Sequence, residues 1–212
     1  MPLQRIQLKF ERRLDSVQLH LLQHLNRMPE YPRSRRELCE TEGLLSECWQ
    51  VWCKFCRDVV IKSCLGSTRL GGVIVPATYA SWEQVSFVAA RQRNGVRPAA
   101  QGTNSQLWKE PTWGDLDTVQ DVVTALAPRN QARLKHAFSL TPEIDHVRLI
   151  RNGAAHLNRQ TLANVIAFQH QYRAFPATHP LQALYWIDPG NAQLLLKARM
   201  DDMRVVARAA VS

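Results

Sequence analysis

The fold is decided by residues 44–57, which read Leu-Leu-Ser-Glu-Cys-Trp-Gln-Val-Trp-Cys-Lys-Phe-Cys-Arg. Around this stretch two apolar stripes recur at three- and four-residue steps: Trp49, Cys53, Cys56, Val60 and Cys64 on one, and Leu45, Trp52, Phe55 and Val59 on the other. A helix that is apolar on two faces is typically buried. The pattern therefore predicts a central helix that begins at Thr41 and runs to Leu65, with Gly66 as its C-terminal stop.

Helical periodicity extends outward from this stretch over most of the chain. It predicts further helices at 6–27, 81–93, 116–126 and 130–138, and another that starts after Thr141. Residues 73–75 fit a short strand or an extended segment, and residues 181–211 fit a strand and a helix or two helices. A long polar loop is expected at 94–113. The predicted fold is all-α, a helical bundle with long loops and at most a short β segment.

Pro29 and Pro32 mark a break near the N-terminus. Before this break, apolar residues at helical spacing are accompanied by Arg and Lys, and a short run of arginines follows it. We expect residues 1–40 to form a basic amphipathic helical arm and residues 41–212 to form the main helical domain. A length of 212 residues suits a single folded unit overall.

The composition is strongly basic. The formal net charge is +9, from 27 basic and 18 acidic residues, and 21 of the basic residues are Arg. Arginine presents a planar, permanently charged fork that suits phosphate, so the composition favours contact with a polyanion. A basic surface that only confers solubility explains the net charge about as well. No apolar run approaches the roughly 18 residues that cross a bilayer. We therefore expect a soluble, cytoplasmic protein without a membrane segment.

Five cysteines are crowded between Cys39 and Cys64. An odd, clustered set is unlike a secreted disulfide framework and favours a reducing compartment. Cys53 and Cys56 have the spacing of a zinc or redox pair, but no second pair supplies the remaining ligands and no strand precedes them. On a central helix they are predicted to be small core residues. No metal and no cofactor is expected.

The stretch Arg151-Asn152-Gly153-Ala154-Ala155-His156 pairs a permanent cation with a titratable base. Thr141 is the expected N-cap of its helix and Pro142 the first helical residue. The predicted core stripe comprises Ile144, Val147, Ile150, Ala154 and Leu157. Asn152, His156 and Arg159 would then stack one turn apart on the opposite face, so that the histidine points away from the core. Whether this helix continues toward Tyr172 or a second one follows is left open by the pattern.

The Arg-to-His spacing of this motif is itself a weak signal, because it occurs four times in the chain. Only Arg151 and His156 combine Asn at the next position, small residues between them and a helix with an apolar opposite face. The other matches are Arg13/His20, Arg129/His136 and Arg173/His179.

The Arg-Asn-x-x-Ala-His block, downstream of the buried helix with its Cys-Trp-Gln-x-Trp-Cys-x-Phe-Cys-Arg pattern, resembles the HEPN superfamily of compact helical bundles. The resemblance covers residues 41–173. It implies a metal-independent endoribonuclease of toxin, antiviral-defence or RNA-processing type, in which the motifs of two protomers form one composite cleft. Arg151, Asn152 and His156 would be the motif residues. A homodimer, and an inhibitory antitoxin or a sensor protein as a partner, follow from the same resemblance.

The chemistry of these residue types agrees with RNA cleavage. Histidine can take the proton of a ribose 2′-hydroxyl or protonate the leaving 5′-oxygen, and two copies in a dimer supply both roles. Arg151 would stabilise charge on the phosphoryl oxygens, while Asn152 would orient the histidine or bind the phosphate. The expected products are a 2′,3′-cyclic phosphate and a 5′-hydroxyl. The rival hypothesis is a non-catalytic RNA-binding or assembly module.

Residues that would hold RNA are predicted in two places. Arg148 and Arg159 flank the motif and suit the RNA backbone. In the polar loop, Trp108 and Trp113 could stack on unpaired bases with Lys109 beside them, although packing of these tryptophans onto the bundle is the favoured alternative.

Overall fold

The structure, a computed structural model, describes residues 2–27, 30–93 and 109–212. It is all-α apart from one small hairpin, as the sequence predicts. The helices are α1 (Leu3–Arg27), α2 (Arg35–Cys64), α3 (Trp82–Arg93), α4 (Leu116–Leu126), α5 (Gln131–Phe138), α6 (Asp145–Ala155), α7 (Arg159–Ile166) and α8 (Leu195–Val211). Short 3₁₀ helices occur at Leu70–Gly72, Pro142–Ile144, Gln169–Gln171 and Pro180–Tyr185. Strands β1 (Ser67–Thr68) and β2 (Ile74–Val75) pair antiparallel.

The chain divides into two compact units, and α1, α2 and α8 contribute residues to both. The first unit comprises Met1–Glu11, Trp52–Pro142 and Arg204–Ser212, and the second comprises Arg12–Val51 and Glu143–Met203. The predicted boundary between residues 40 and 41 falls inside α2. In the described part of the chain, no helix combines the length and apolarity that a bilayer crossing requires.

The first unit has an aromatic core on the C-terminal half of α2. Phe10 packs on Phe55 with ring centroids 4.7 Å apart, and Trp52 lies 5.7 Å from Phe55. The Trp52 indole N–H donates to the carbonyl of Gly114 at 3.0 Å, so this buried tryptophan has no unsatisfied donor. Burial of these rings confirms the prediction that this half of α2 is a central helix.

The buried carboxylate of Glu110 forms hydrogen bonds with residues of α2 and α3. Glu110 accepts two hydrogen bonds from Arg57, at 2.6 and 2.9 Å, and one from the Ser86 hydroxyl at 2.5 Å. It also accepts from the Trp113 indole N–H at 2.8 Å. The Arg57 hydrogen bonds help to hold the pKa of Glu110 below its usual range against the opposing effect of burial. Trp113 is therefore a packing residue, which is the alternative that the sequence favours over stacking on bases.

Of the two cysteines of α2 that were predicted to be core residues, Cys56 is buried and Cys53 is only partly buried. Cys48, Cys56 and Cys64 are fully buried, Cys53 is half-buried and Cys39 is exposed. Burial raises the pKa of Cys64 to about 12 and that of Cys56 well above its usual value. Both buried thiols are consequently neutral at physiological pH and act as small apolar groups.

The start of α2 differs from the prediction. The helix begins at Arg35 and not at Thr41. The cause is a capping box: the Glu37 N–H donates to Ser34 Oγ at 3.3 Å, and the Ser34 N–H donates to the Glu37 carboxylate at 2.9 Å. Thr41 instead lies within the helix, where its hydroxyl donates to the Glu37 carbonyl at 2.8 Å.

The predicted bounds of several other elements can be compared with the structure. The predicted helix at 116–126 has those bounds, with Asp115 accepting from the Thr118 N–H at its N-terminus. The helix predicted at 6–27 begins three residues earlier, at Leu3. Residues 73–75 are partly strand, and the tail forms a 3₁₀ helix followed by α8. Gly66, with φ of +85°, follows α2 as its expected terminator.

Candidate functional site

Helix α6 carries Arg151 and Asn152 and is anchored in the second unit by its apolar face. Ile144, Val147 and Ile150 are fully buried, as the predicted stripe requires. After Ile150 the buried position is Gly153, where the helix packs on Pro180. A Cβ at Gly153 would lie 3.0 Å from Cγ of Pro180, which is tighter than ordinary side-chain packing. A larger residue would have to displace the Pro180 ring by a few tenths of an ångström, so glycine suits this close approach.

The C-terminal end of this helix differs from the prediction. Helix α6 ends at Ala155, and His156 is its C-cap, with φ −131° and ψ 58° and its N–H donating to the Asn152 carbonyl at 3.0 Å. Leu157 is 57% exposed and takes no part in the core, contrary to the predicted stripe. Because Arg159 begins a new helix, the proposed stack of Asn152, His156 and Arg159 on one helical face is wrong.

A local hydrogen-bond network explains why the chain turns at this point. The Thr161 N–H donates to Asn158 Oδ1 at 3.0 Å, and the Asn158 N–H donates to Thr161 Oγ1 at 3.1 Å, which together form the capping box of α7. The side chains of both residues also donate to the carbonyl of His156, at 3.0 Å from Asn158 and 2.8 Å from Thr161. Both the N–H and the carbonyl of His156 are therefore hydrogen-bonded, while its imidazole is exposed.

The other two motif residues lie in the last turns of α6. Arg151 is exposed and Asn152 is half-buried. Nη1 of Arg151 donates to Oδ1 of Asn152 at 3.3 Å. The structure thus keeps a permanent cation, an amide and an imidazole within one helical turn and its cap. We call residues 151–161, which include these three, the α6–α7 corner.

The predicted RNA-holding residues have different surroundings. Arg148 is half-buried and forms a two-pronged ion pair with Asp145, in which Nη2 lies 2.7 Å from Oδ2, so part of its charge is compensated within α6. Arg159, the first residue of α7, is exposed on the corner. Lys109 is half-buried. Trp108 lies outside the described residues.

A buried polar network at the start of α6 was not predicted. His146 stacks on Phe168 with ring centroids 4.0 Å apart, and its Nδ1 lies 2.7 Å from the Tyr172 hydroxyl. Arg199 of α8 donates to the same hydroxyl at 2.8 Å and to Asp188 at 2.6 Å, and its Nε lies 2.7 Å from Asp202. Because Arg199 has no acceptor, the Tyr172 hydroxyl accepts from it and donates its own proton to His146.

The pKa values in this network fit that assignment. Burial, aided by the Arg199 charge, lowers the pKa of His146 to about 4, so its Nδ1 is an unprotonated acceptor near neutral pH. Burial raises the pKa of Tyr172 to about 12 and that of Asp202 to about 6, although Arg199 acts in the opposite direction on both. The network therefore anchors the N-terminal end of α6 to Tyr172 and α8. In sequence, these residues are too far apart for periodicity to connect them.

The chain matches no family model, no curated protein and no solved structure.

Proposed function

We propose that the protein is a metal-independent endoribonuclease whose reactive residues are Arg151, Asn152 and His156. The observation that carries the proposal is the α6–α7 corner, where the imidazole of His156 is exposed and its backbone is fixed by Asn158 and Thr161. A fixed backbone with an exposed side chain suits a general acid or base, because its position is determined in advance while substrate can reach it. The basic composition supports a polyanionic substrate.

The proposed reaction is transesterification within RNA. One histidine removes the proton of the 2′-hydroxyl, and the 2′-oxygen attacks the adjacent phosphorus. As the bond from phosphorus to the 5′-oxygen breaks, a protonated histidine supplies the proton to the leaving oxygen. Arg151 binds the phosphoryl oxygens as their charge increases, and Asn152 keeps Arg151 in place through its side-chain oxygen. The products are a 2′,3′-cyclic phosphate and a 5′-hydroxyl.

A symmetric homodimer is part of this proposal. One chain supplies one motif histidine, whereas acid and base roles are most simply filled by two. Leu157, which follows His156, is 57% exposed and offers an apolar contact beside a two-fold axis. Arg159 is the remaining exposed cation for RNA backbone on the corner, and Arg148 contributes less because of its pairing with Asp145.

The biological setting is proposed from the resemblance to the HEPN superfamily alone. It suggests a cytoplasmic toxin or antiviral-defence nuclease, restrained by an antitoxin or a sensor protein. A non-catalytic RNA-binding or assembly module is the second candidate. The exposure of Leu157 favours it as well, since a docking corner needs an apolar contact but no reactive histidine.

Incubation of the purified protein with RNA in excess EDTA separates the two candidates. The nuclease should produce 2′,3′-cyclic phosphate and 5′-hydroxyl ends, which end-group analysis identifies. His156→Ala should lose most of this activity, whereas His136→Ala should keep it. His136 is the matched control because it is also exposed and also follows an arginine at the motif spacing. RNA binding without cleavage by the wild type would support the assembly module instead.

The dimer is tested by mixing. If the cleft is composite, an excess of His156→Ala chains under conditions of subunit exchange should depress the activity of each wild-type chain. Activity that follows the wild-type fraction alone, or a monomeric active species in sedimentation, would contradict the composite cleft.

A further inference from the structure

The outward face of α1 carries exposed leucines. Leu8, Leu19 and Leu22 are 45%, 54% and 50% exposed. The inward face of the same helix is already buried in the core through Leu3, Ile6, Phe10, Leu14, Val17 and Leu21. A helix at the surface of a bundle usually presents polar residues on its outer side. The exposed leucines are therefore apolar positions beyond those that the core requires, and none of the residues proposed for nuclease chemistry is among them.

Six exposed positions of α1 form one seam that contains these leucines. Because α1 is one unbroken helix, their arrangement follows from helical geometry alone. At 100° per residue they lie within about 80° of one another, and they recur alternately at four- and three-residue steps, the spacing at which two helices pack side by side. The seam is about 27 Å long. It comprises Leu8, Arg12, Asp15, Leu19, Leu22 and Asn26, all of which are exposed.

The seam is complementary to a second copy of itself. In an antiparallel pair of α1 helices whose two-fold axis passes between residues 13 and 14, residues at equal distances from that point face each other. Arg12 then faces Asp15 of the second copy, and Leu8 faces Leu19 of the second copy; the symmetry repeats both contacts. Arg12 forms no hydrogen bond or ion pair within the described residues, so its guanidinium is available for this carboxylate. One seam thus supplies both halves of its own contact.

The charges beside the seam do not oppose this pairing. Each chain has a net charge of +9, so two copies repel each other unless their cations are paired or turned away. Lys9 and Arg13 project more than about 90° from the centre of the seam and so point away from the second copy. Arg5, at the edge of the seam, faces Leu22 of the second copy, which its methylenes can cover. Like charges therefore do not face each other across the pair.

We propose that the seam of α1 is a homodimer interface, in which two copies pack antiparallel through their leucines and two Arg12–Asp15 ion pairs. The leucines provide most of the attraction, because exposed ion pairs contribute little. The ion pairs select the register and the partner, since an acidic or a basic surface would match only one of the two charges. The seam is separate from the α6–α7 corner, and a chain that uses both contacts assembles beyond a dimer.

Sedimentation equilibrium of the full chain tests the proposal. It is carried out on the Leu157→Ser variant as well as the wild type, so that an apolar contact at the α6–α7 corner does not contribute. In this background the unmodified seam should give a reversible dimer with a dissociation constant of about 1–50 μM, because the seam is short for an obligate interface. A protein that stays monomeric at about 500 μM would overturn the proposal, whether or not it cleaves RNA.

A charge swap tests whether the occupant is a second copy. Arg12→Asp alone brings carboxylates together, and Asp15→Arg alone brings guanidinium groups together, so each variant should dimerise at least about tenfold more weakly. In an equimolar mixture, one variant supplies both carboxylates and the other both guanidinium groups, so association should recover to within about threefold of the unmodified seam. A mixture that does not recover would contradict the antiparallel pairing. Weaker RNA binding by Arg12→Asp with unchanged self-association would assign the seam to RNA instead.

Further variants test the register of the pair. Leu8→Ser and Leu19→Ser should weaken dimerisation about equally, since these side chains face each other, and should leave the melting temperature of the monomer unchanged because both are exposed. Arg13→Asp is the matched control, because it makes the same change of charge as Arg12→Asp on a side of α1 that lies outside the seam. Loss of association in Arg13→Asp, or an effect of Leu19→Ser without one of Leu8→Ser, would overturn this interface.

Discussion

His146 and His156 lie at opposite ends of α6, and the contrast between them shows how one helix separates a structural histidine from an available one. His146 stacks on Phe168 and accepts from Tyr172, and its pKa is lowered to about 4. The imidazole of His156 is exposed, and only its backbone is fixed. The residue type alone therefore does not show the role of a histidine. Its burial and its hydrogen-bond partners decide whether it can exchange protons with a substrate.

The largest expected effect is at the exposed end. His156→Ala should reduce RNA cleavage by about 10²- to 10⁴-fold, since it removes a general acid or base. Its melting temperature should be near that of the wild type, because an exposed side chain leaves no cavity. Initial rates in EDTA and thermal unfolding measure the two quantities. Normal cleavage by a folded variant would move the reaction to another residue.

The buried end should show the opposite behaviour. Arg199→Met leaves Asp188 and Asp202 without their shared cation and should lower the free energy of unfolding by about 3–5 kcal/mol. The matched control is Arg36→Met, in a pair with Glu40 whose arginine is 86% exposed, and it should cost at most about 1 kcal/mol. Denaturant unfolding measures both. Equal effects of the two substitutions would show that burial of the Arg199 network contributes nothing.

Helix α6 packs on Pro180 at Gly153. Gly153→Val places side-chain atoms where even a Cβ lies 3.0 Å from the proline ring, so stability should fall by about 1–3 kcal/mol. Gly43→Val is the control, because the space at that helical glycine is open, and it should change stability by less than about 0.5 kcal/mol. If Gly153→Val were as stable as the wild type, close packing would not explain the glycine in the motif.

Helix bounds were predicted correctly where a capping residue and an apolar stripe indicate the same helix. Helix α4 begins and ends as predicted because Asp115 caps it and its apolar residues recur regularly. Helix α2 was placed too late because periodicity outweighed the capping box of Ser34 and Glu37, although that Ser-x-x-Glu signal is present in the sequence. Local capping was therefore more informative about the helix start than the apolar pattern was.

The geometry around the candidate site differs from the predicted one. A continuous helix through Arg159 satisfied the 3.6-residue period, but Asn158 and Thr161 begin a new helix and place His156 on a corner. The network of His146, Tyr172 and Arg199 joins residues 26 and 27 positions apart, a separation that no local pattern records. Such contacts depend on how helices pack, so they could be found only in three dimensions.

The smallest expected effect concerns the pH dependence of stability. The pKa of His146 is lowered from 6.5 to about 4 in the folded protein, so between these values the unfolded chain binds a proton that the folded chain does not. Stability that is present above pH 6.5 is therefore lost as the pH falls toward 4. His146→Gln keeps an acceptor for Tyr172 but does not titrate. At pH 5 the wild type should have lost about 1–2 kcal/mol relative to this variant. Above about pH 7.5 the difference between the two proteins should be constant.

Asp202, whose pKa is raised to about 6, has the opposite pH dependence, but it titrates in both proteins and cancels in the comparison. Urea unfolding at a series of pH values measures the difference, and parallel pH profiles would contradict a buried, neutral His146.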